Sequence, residues 1–328
     1  MKRVDKALLI GMVMVALAIG LAGCGGTESS SERAGDVETT DSSSIALLPV
    51  KVGTLATDDL LPLWVAQQEG FLTQAGLDVE IITFQSPMES RAAMTAGEID
   101  GLMTDMVVAA QLTASEGARA VTVMQTAPAG ILASPKSNIT SLEGLAQVPI
   151  GISSPTVMEF IADKALSDAG VADEAIAFEI IEKLPVRLEM LMSNQVQAAV
   201  LPWTLFQLAQ QQGAVPLLDE AKAAEYTSTV LVFRDGFLTQ AGAGETIAAL
   251  LGAWGRGVES INANPDSFRT LLVEKANLPE PLKETYRIRT YPQTGTPPKA
   301  QFEAVVDWMV KKGYLDRALA FEDLVYQP

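Results

Sequence analysis

An α/β protein built from two lobes is the fold class this sequence predicts, on three observations. From Pro49 onward, short β-branched runs alternate with amphipathic segments closed by glycine, a pattern that builds a mostly parallel sheet with helices on both faces. About 280 residues follow the polar amino-terminal stretch, enough for about two domains of ordinary size. A fresh α/β unit opens near Val148, after the chain has already supplied five strands.

Residues 50–55 read as a strand, 62–69 as a helix, 79–84 as a strand, 86–96 as a helix and 99–103 as a strand. A helix over 105–116 follows, with Gly117 as its stop. Residues 121–125 and 130–133 are further strands, and 141–145 a short helix. The second unit runs through a strand at 148–153, a helix at 155–169, a strand at 178–181, a helix near 185–193, a strand at 198–201 and a helix at 204–212. Residues 229–233 are again a strand, and from Thr246 the chain reads as mainly helical to its end. The expected organisation is one lobe from 48–133 plus 229–328 and a second from 134–228, with crossings near Ala133 and Tyr226.

The amino terminus is a separate matter. Lys2, Arg3 and Lys6 precede an apolar run from Ala7 to Leu21 that ends in Ala22 and Gly23, the layout of a secretory signal over 1–23. The run falls short of the roughly 20 residues that span a bilayer as a helix. Leu21-Ala22-Gly23-Cys24 resembles the lipobox of bacterial lipoproteins, which implies that Cys24 is lipidated and becomes the new amino terminus. Cys24 is the only cysteine, so no internal disulfide can form. Residues 24–47 are mostly Gly, Ser, Thr, Glu and Asp, the composition of a tether that cannot bury enough surface to order itself. The expected location is extracytoplasmic, with the membrane reached through the lipid alone.

Composition removes whole classes of function. The full chain carries a net charge of −17, and loss of residues 1–23 makes it more acidic still, which argues against nucleic acid as a partner. There is no histidine. Without histidine or a spare cysteine the chain lacks the common general base near neutral pH, a Ser-His pair and the ligands of a typical zinc site. No Walker-type phosphate loop and no G-x-S-x-G elbow are present. No catalytic residue, metal or cofactor is expected.

In open α/β sheets ligands sit beyond the carboxyl ends of strands, where helix amino termini point at them. Five such junctions occur: Thr57-Asp58-Asp59, Ser86-Pro87-Met88-Glu89, Thr104-Asp105, Ser153-Ser154-Pro155-Thr156 and Pro202-Trp203-Thr204. From them we take Thr57, Asp58, Ser86, Thr104, Asp105, Ser153, Ser154, Thr156 and Trp203 as candidate ligand contacts, together with Trp64. Each capping residue has a plainer role open to it, that of finishing its own helix. Trp64 shares a stripe with Leu61 and Val65, so a core role stands beside that of a ligand platform. Trp203 follows a strand end, where a stacking role fits.

Four segments resemble the nitrate, sulfonate and thiamine-precursor binding proteins of ABC importers, a branch of the type II periplasmic-binding fold. They are Pro62-Leu63-Trp64-Val65-Ala66 with Glu69-Gly70-Phe71 and Ala75 to Glu80; Met94 to Asp100; Ser141 to Leu145 with Ile150-Gly151-Ile152; and Leu191 to Ala199 with Pro202. In the last, Asn194 and Gln197 stand where the family commonly has glycine and aspartate. The resemblance spans roughly residues 48–315 and implies a monomeric, non-enzymatic binding protein. Such a protein closes two lobes on a small molecule and hands it to an ABC permease with its ATPase. A fold-related pyrimidine-forming enzyme and a membrane-tethered sensor are the other readings the lobes allow.

The junctions hold no lysine or arginine, whereas Asp58, Asp59 and Asp105 would repel an anion, and Arg91 and Arg187 lie further into their helices. The ligand expected on charge is a neutral or amine-bearing organic molecule of the thiamine-precursor pyrimidine kind. A sulfonate held by helix N–H groups is the other option.

Overall fold

A computed structural model describes residues 46–124 and 129–326. The signal over 1–23, Cys24 and nearly all of the tether lie outside these residues. Leu47 and Leu48 already pack against the core, and the Leu48 N–H donates to Thr246 Oγ1 at 2.9 Å.

Ten strands are present among the described residues: β1 Val50–Leu55, β2 Val79–Phe84, β3 Gly101–Asp105, β4 Arg119–Met124, β5 Ala129–Ala133, β6 Pro149–Ile152, β7 Ala177–Ile180, β8 Ala198–Pro202, β9 Val215–Leu218 and β10 Thr229–Phe233. They form two five-stranded sheets, ordered β2-β1-β3-β10-β4 and β7-β6-β8-β5-β9. In each sheet a single strand runs against the rest: β10 is antiparallel to β3 and β4, and β5 is antiparallel to β8 and β9. Each is the first strand after the chain has changed sheets, so it enters from the side of the other lobe. Helices cover both sheets, giving the two-lobe α/β architecture.

One boundary differs from the sequence reading. Strand β5 belongs to the second sheet, so the chain leaves the first after Met124 and not near Ala133. An all-buried run such as Ala129–Ala133 carries no local mark of its partner. A Cβ at Gly130 would lie 2.6 Å from the Leu218 carbonyl oxygen and 2.7 Å from the Phe206 ring, so its missing side chain lets this strand sit between β8 and β9. Strand β9, which the sequence reading leaves unassigned, closes that edge.

Helix ends follow their residues. Gly117, at φ +67°, stops the Met106–Glu116 helix as its sequence position predicts. Asn194 ends the Leu184–Ser193 helix at φ +64°, a left-handed conformation that asparagine tolerates better than other non-glycine residues.

The long Ala243–Ala263 helix packs on the Leu61–Gln68 helix and buries Trp64, Leu250, Trp254 and Val258. Contact is direct at Gly257, where a Cβ would lie 2.1 Å from the Pro62 carbonyl oxygen. Gly257→Ala is therefore expected to cost about 1–3 kcal/mol by forcing the helices apart, read as a lower midpoint in urea with little change in slope.

The carboxy-terminal third is mainly helical, with one long interruption. Pro279, Pro281, Pro292, Pro297 and Pro298 interrupt it, and residues 286–294 run without helix or strand. This stretch nevertheless buries Tyr286, Arg289 and Tyr291. The Lys299–Lys312 helix then packs on the Met106–Glu116 helix of the first lobe and reaches the second with its end. There Trp308 Nε1 donates to Asp163 at 2.8 Å, Lys312 pairs with Asp163 at 2.6 Å, and the Tyr314 hydroxyl donates to Glu159 at 2.8 Å.

Candidate functional site

The carboxyl ends of β1, β3 and β8 face one another across a cavity between the lobes. The first lobe lines it with Thr54, Thr57, Asp59, Ser90, Thr104 and Asp105, among others, and the second with Thr156, Val157, Met158 and Pro202. The cavity measures about 40 Å³, whereas sites for drug-sized ligands begin at about 300 Å³. This is a closed form, and a ligand of several heavy atoms requires the lobes to part.

Two carboxylates dominate the first-lobe wall. Asp105 caps the Met106–Glu116 helix, its Oδ1 accepting the Val107 and Val108 N–H groups at 2.8 and 2.9 Å. The Val157 N–H, at the start of the Val157–Asp168 helix of the other lobe, also favours its ionised form. Burial outweighs these donors and pushes its pKa up to about 6. Asp59 Oδ2 accepts the Thr57 hydroxyl at 2.7 Å, while its Oδ1 is buried and has no partner. Burial raises the Asp59 pKa, Arg289 opposes the rise and Asp58 adds to it. Thr54 Oγ1, also on the wall and fully buried, has no partner either.

The sign of the Asp105 shift fixes a pH dependence. Between pH 3.8 and about 6 the folded form holds a proton that the unfolded chain has lost, so this group's contribution to stability falls as pH rises through that window. Asp105→Asn removes the titration and keeps a cap acceptor. Relative to wild type it should gain on the order of 3 kcal/mol between pH 4 and pH 7, checked by urea unfolding at both values.

Of the residues singled out from sequence, Thr57, Thr104, Asp105 and Thr156 line the cavity. Thr156 caps the Val157–Asp168 helix by accepting the Met158 N–H at 3.2 Å. The others lie elsewhere. Asp58 turns away into a buried cluster, where its carboxylate accepts Arg289 Nε at 3.0 Å, Arg289 Nη2 at 3.1 Å and the Tyr286 hydroxyl at 2.8 Å. Trp64 is core, against the Ala243–Ala263 helix. Ser86 completes its helix cap, accepting the Glu89 N–H at 3.2 Å, but does not reach the cavity. Ser153 Oγ accepts from the Arg187 guanidinium, and Ser154 Oγ donates to Glu159 at 2.6 Å. Trp203 stacks on Phe206 at 5.1 Å between centroids, with Arg287 over its face, in an open groove of its own. That stack faces a different cavity from the one bounded by Pro202, which corrects the placement expected for it.

Residues that the sequence reading misses are Thr54, Ser90, Val157 and Met158, while Arg187, which it sets further into its helix, lies behind the wall. Asp59 stands out there only as part of its junction. One signal is available: Thr54 lies at the carboxyl end of β1, where ligand sites of open α/β sheets form.

Opposite rims tie the lobes together. Arg289 joins Asp58 of the first lobe to Glu220, which follows β9 of the second, at 3.1 Å through Nη1. Burial alone would lower its pKa, but Asp58, Asp59 and Glu220 hold it well above the usual arginine value. Next to it, the Gln207 side chain bonds the Arg287 backbone at both N–H and C=O.

A cleft of this build between two α/β lobes agrees with a family profile described as "NMT1/THI5 like", which matches residues 57–268. The chain belongs to the NMT1/THI5-like family. Solved structures similar to this NMT1/THI5-like chain include the alkanesulfonate-binding protein SsuA from Xanthomonas axonopodis pv. citri bound to MOPS, at 15% identity and TM-score 0.73, covering 85% of this chain and 98% of that one. The periplasmic aliphatic sulphonate binding protein SsuA from Escherichia coli aligns at 15% identity and TM-score 0.70, over 85% and 92%. The periplasmic nitrate-binding protein NrtA from Synechocystis PCC 6803 aligns at 15% identity and TM-score 0.68, over 83% of each chain. These likenesses establish the periplasmic-binding fold. A comparison with curated protein sequences gives no match. No helix among the described residues is long and apolar enough to cross a membrane.

Proposed function

We propose that this NMT1/THI5-like protein is a lipid-anchored, extracytoplasmic solute-binding protein that delivers a small amine-bearing organic molecule to an ABC import permease and its ATPase, without catalysing a reaction. The observation that carries the ligand class is the pair of carboxylates, Asp59 and Asp105, on a cavity wall that holds no lysine or arginine. One of them offers a buried oxygen with no partner, the place for an N–H donor. An aminopyrimidine or an alkylamine supplies such a donor, whereas nitrate brings only acceptors and like charge.

The two-lobe build supports the transport reading. Ligand contacts to both walls favour the shut form, and a permease that recognises that form senses occupancy. Anchoring through Cys24 accounts for the single cysteine and for the polar residues that follow it.

Thermal-shift screening of the mature protein against aminopyrimidines, alkylamines, sulfonates and nitrate tests the ligand class. Stabilisation by the amines and not by the simple anions is expected, and the reverse would overturn the reading. Cys24→Ser is expected to release the protein from the membrane fraction; an unchanged membrane fraction would contradict the lipid anchor.

A further inference from the structure

The second-lobe wall has a hidden charge of the opposite sign. Arg187 is fully buried, with no carboxylate within ion-pair distance among the described residues. Buried charges are ordinarily paired, because removing an ion from water costs several kcal/mol in practice. Here the guanidinium is held by dipoles. Nε and Nη2 donate to the Ile181 carbonyl at 2.9 and 2.6 Å, Nη1 to the Val200 carbonyl at 2.9 Å, and Nη2 to Ser153 Oγ. The fifth donor, on Nη1, points at the Met158 sulfur at 2.8 Å. A thioether is a weak acceptor and a poor companion for a cation. Burial draws the Arg187 pKa down to about 10, with Glu182, beyond ion-pair distance, opposing the fall, which leaves it charged at neutral pH.

Met158 is also a lining residue of the cavity, so one flexible side chain separates Arg187 from the space where the ligand goes. The four second-lobe residues of that wall, Thr156, Val157, Met158 and Pro202, include no acid. The cleft is therefore polarised, with Asp59 and Asp105 on one side and a masked guanidinium behind the other.

We propose that Met158 is a removable cover over an anion-receiving Arg187, and that the ligand is a small zwitterion whose amine meets Asp59 and whose carboxylate or sulfonate displaces the methionine sulfur. This rests on the amine-binding reading above and adds the second pole of the molecule. Swinging Met158 aside also enlarges a cavity that is too small as it stands. Four donors tie β8 and the ends of β6 and β7 together, and the fifth, aimed at sulfur, is the one that a ligand oxyanion can take over at no cost to the others.

Calorimetric titration of the mature protein with matched probes tests it: β-alanine and 2-aminoethanesulfonate as zwitterions, propylamine as amine alone, and propanoate and ethanesulfonate as acids alone. The zwitterions are expected to bind at least tenfold more tightly than propylamine, and the better of the two identifies the oxyanion. Met158→Ala should widen the preference for the zwitterions over propylamine at least threefold. Arg187→Lys should abolish most of the zwitterion advantage, with its fold checked by circular dichroism; if that variant does not fold, Met158→Ala is decisive on its own. Propylamine binding as tightly as the zwitterions, with no discrimination in Met158→Ala, would overturn the proposal and leave the amine reading in place. Failure of every amine-bearing probe would overturn both.

Discussion

Arg289→Ala is expected to destabilise the protein by about 3–5 kcal/mol, the largest stability effect of any substitution considered, because it strands Asp58. The Asp58 carboxylate is 1% exposed and takes two guanidinium bonds plus the Tyr286 hydroxyl. Without Arg289 it is left a buried carboxylate with no countercharge. Tyr286 and Tyr291 have hydroxyls driven well above their ordinary pKa, by burial first and then by Asp58, so both stay protonated and offer Asp58 hydrogen bonds but no countercharge. The loss should be partly recovered in Asp58→Asn/Arg289→Met, which removes both charges, since replacing a buried pair often costs little. Chemical unfolding of the two single variants and the double variant measures the coupling. A loss below about 1 kcal/mol in Arg289→Ala would mean that the cluster opens to water in solution.

The second large effect falls on binding. Asp59→Asn is expected to weaken an amine-bearing ligand by about two orders of magnitude, since it replaces a desolvated carboxylate facing the ammonium by a neutral amide, a change worth about 2–5 kcal/mol when one partner of such a pair is lost. Stability should stay level or rise, because the folded protein no longer has to bury that charge. The split between affinity and stability separates a ligand contact from a structural residue. Affinity of the wild type should also fall as pH drops below about 6. A cationic ligand binds the ionised carboxylates, and Asp105 is half protonated there before the ligand arrives.

These effects trace to features that differ in how plainly the sequence displays them. Strands β1, β2 and β10 and the caps at Ser86, Asp105 and Thr156 are written in local pattern, as are the stop at Gly117 and the left-handed turn at Asn194. The sheet that claims Ala129–Ala133 is decided by the fit of Phe206 over Gly130, a contact 76 residues away in the chain that no local window holds. The same holds for the site. A capping residue announces a helix start, which is how Thr57, Thr104, Asp105 and Thr156 show themselves. Asp58 and Asp59 are neighbours of one type, and their division of labour depends on Arg289, Tyr286 and Tyr291 arriving from far along the chain. Arg187 sits in the first turn of its helix, yet its guanidinium extends back to the ends of β6 and β8, a reach that helical spacing alone does not reveal.

Ligand capture depends on the lobes parting, since a cavity of about 40 Å³ is far smaller than an ordinary ligand site. Distance measurement by double electron–electron resonance between spin labels at Thr83→Cys and Glu179→Cys, on the outer strands of the two lobes, tests this directly. The mature chain with Cys24 replaced carries no competing thiol. The predicted result is a broad or long distance distribution without ligand that collapses to a single short one when an amine-bearing ligand is added. A distribution that is already short and narrow, and that stays the same with ligand bound, would contradict the two-lobe mechanism.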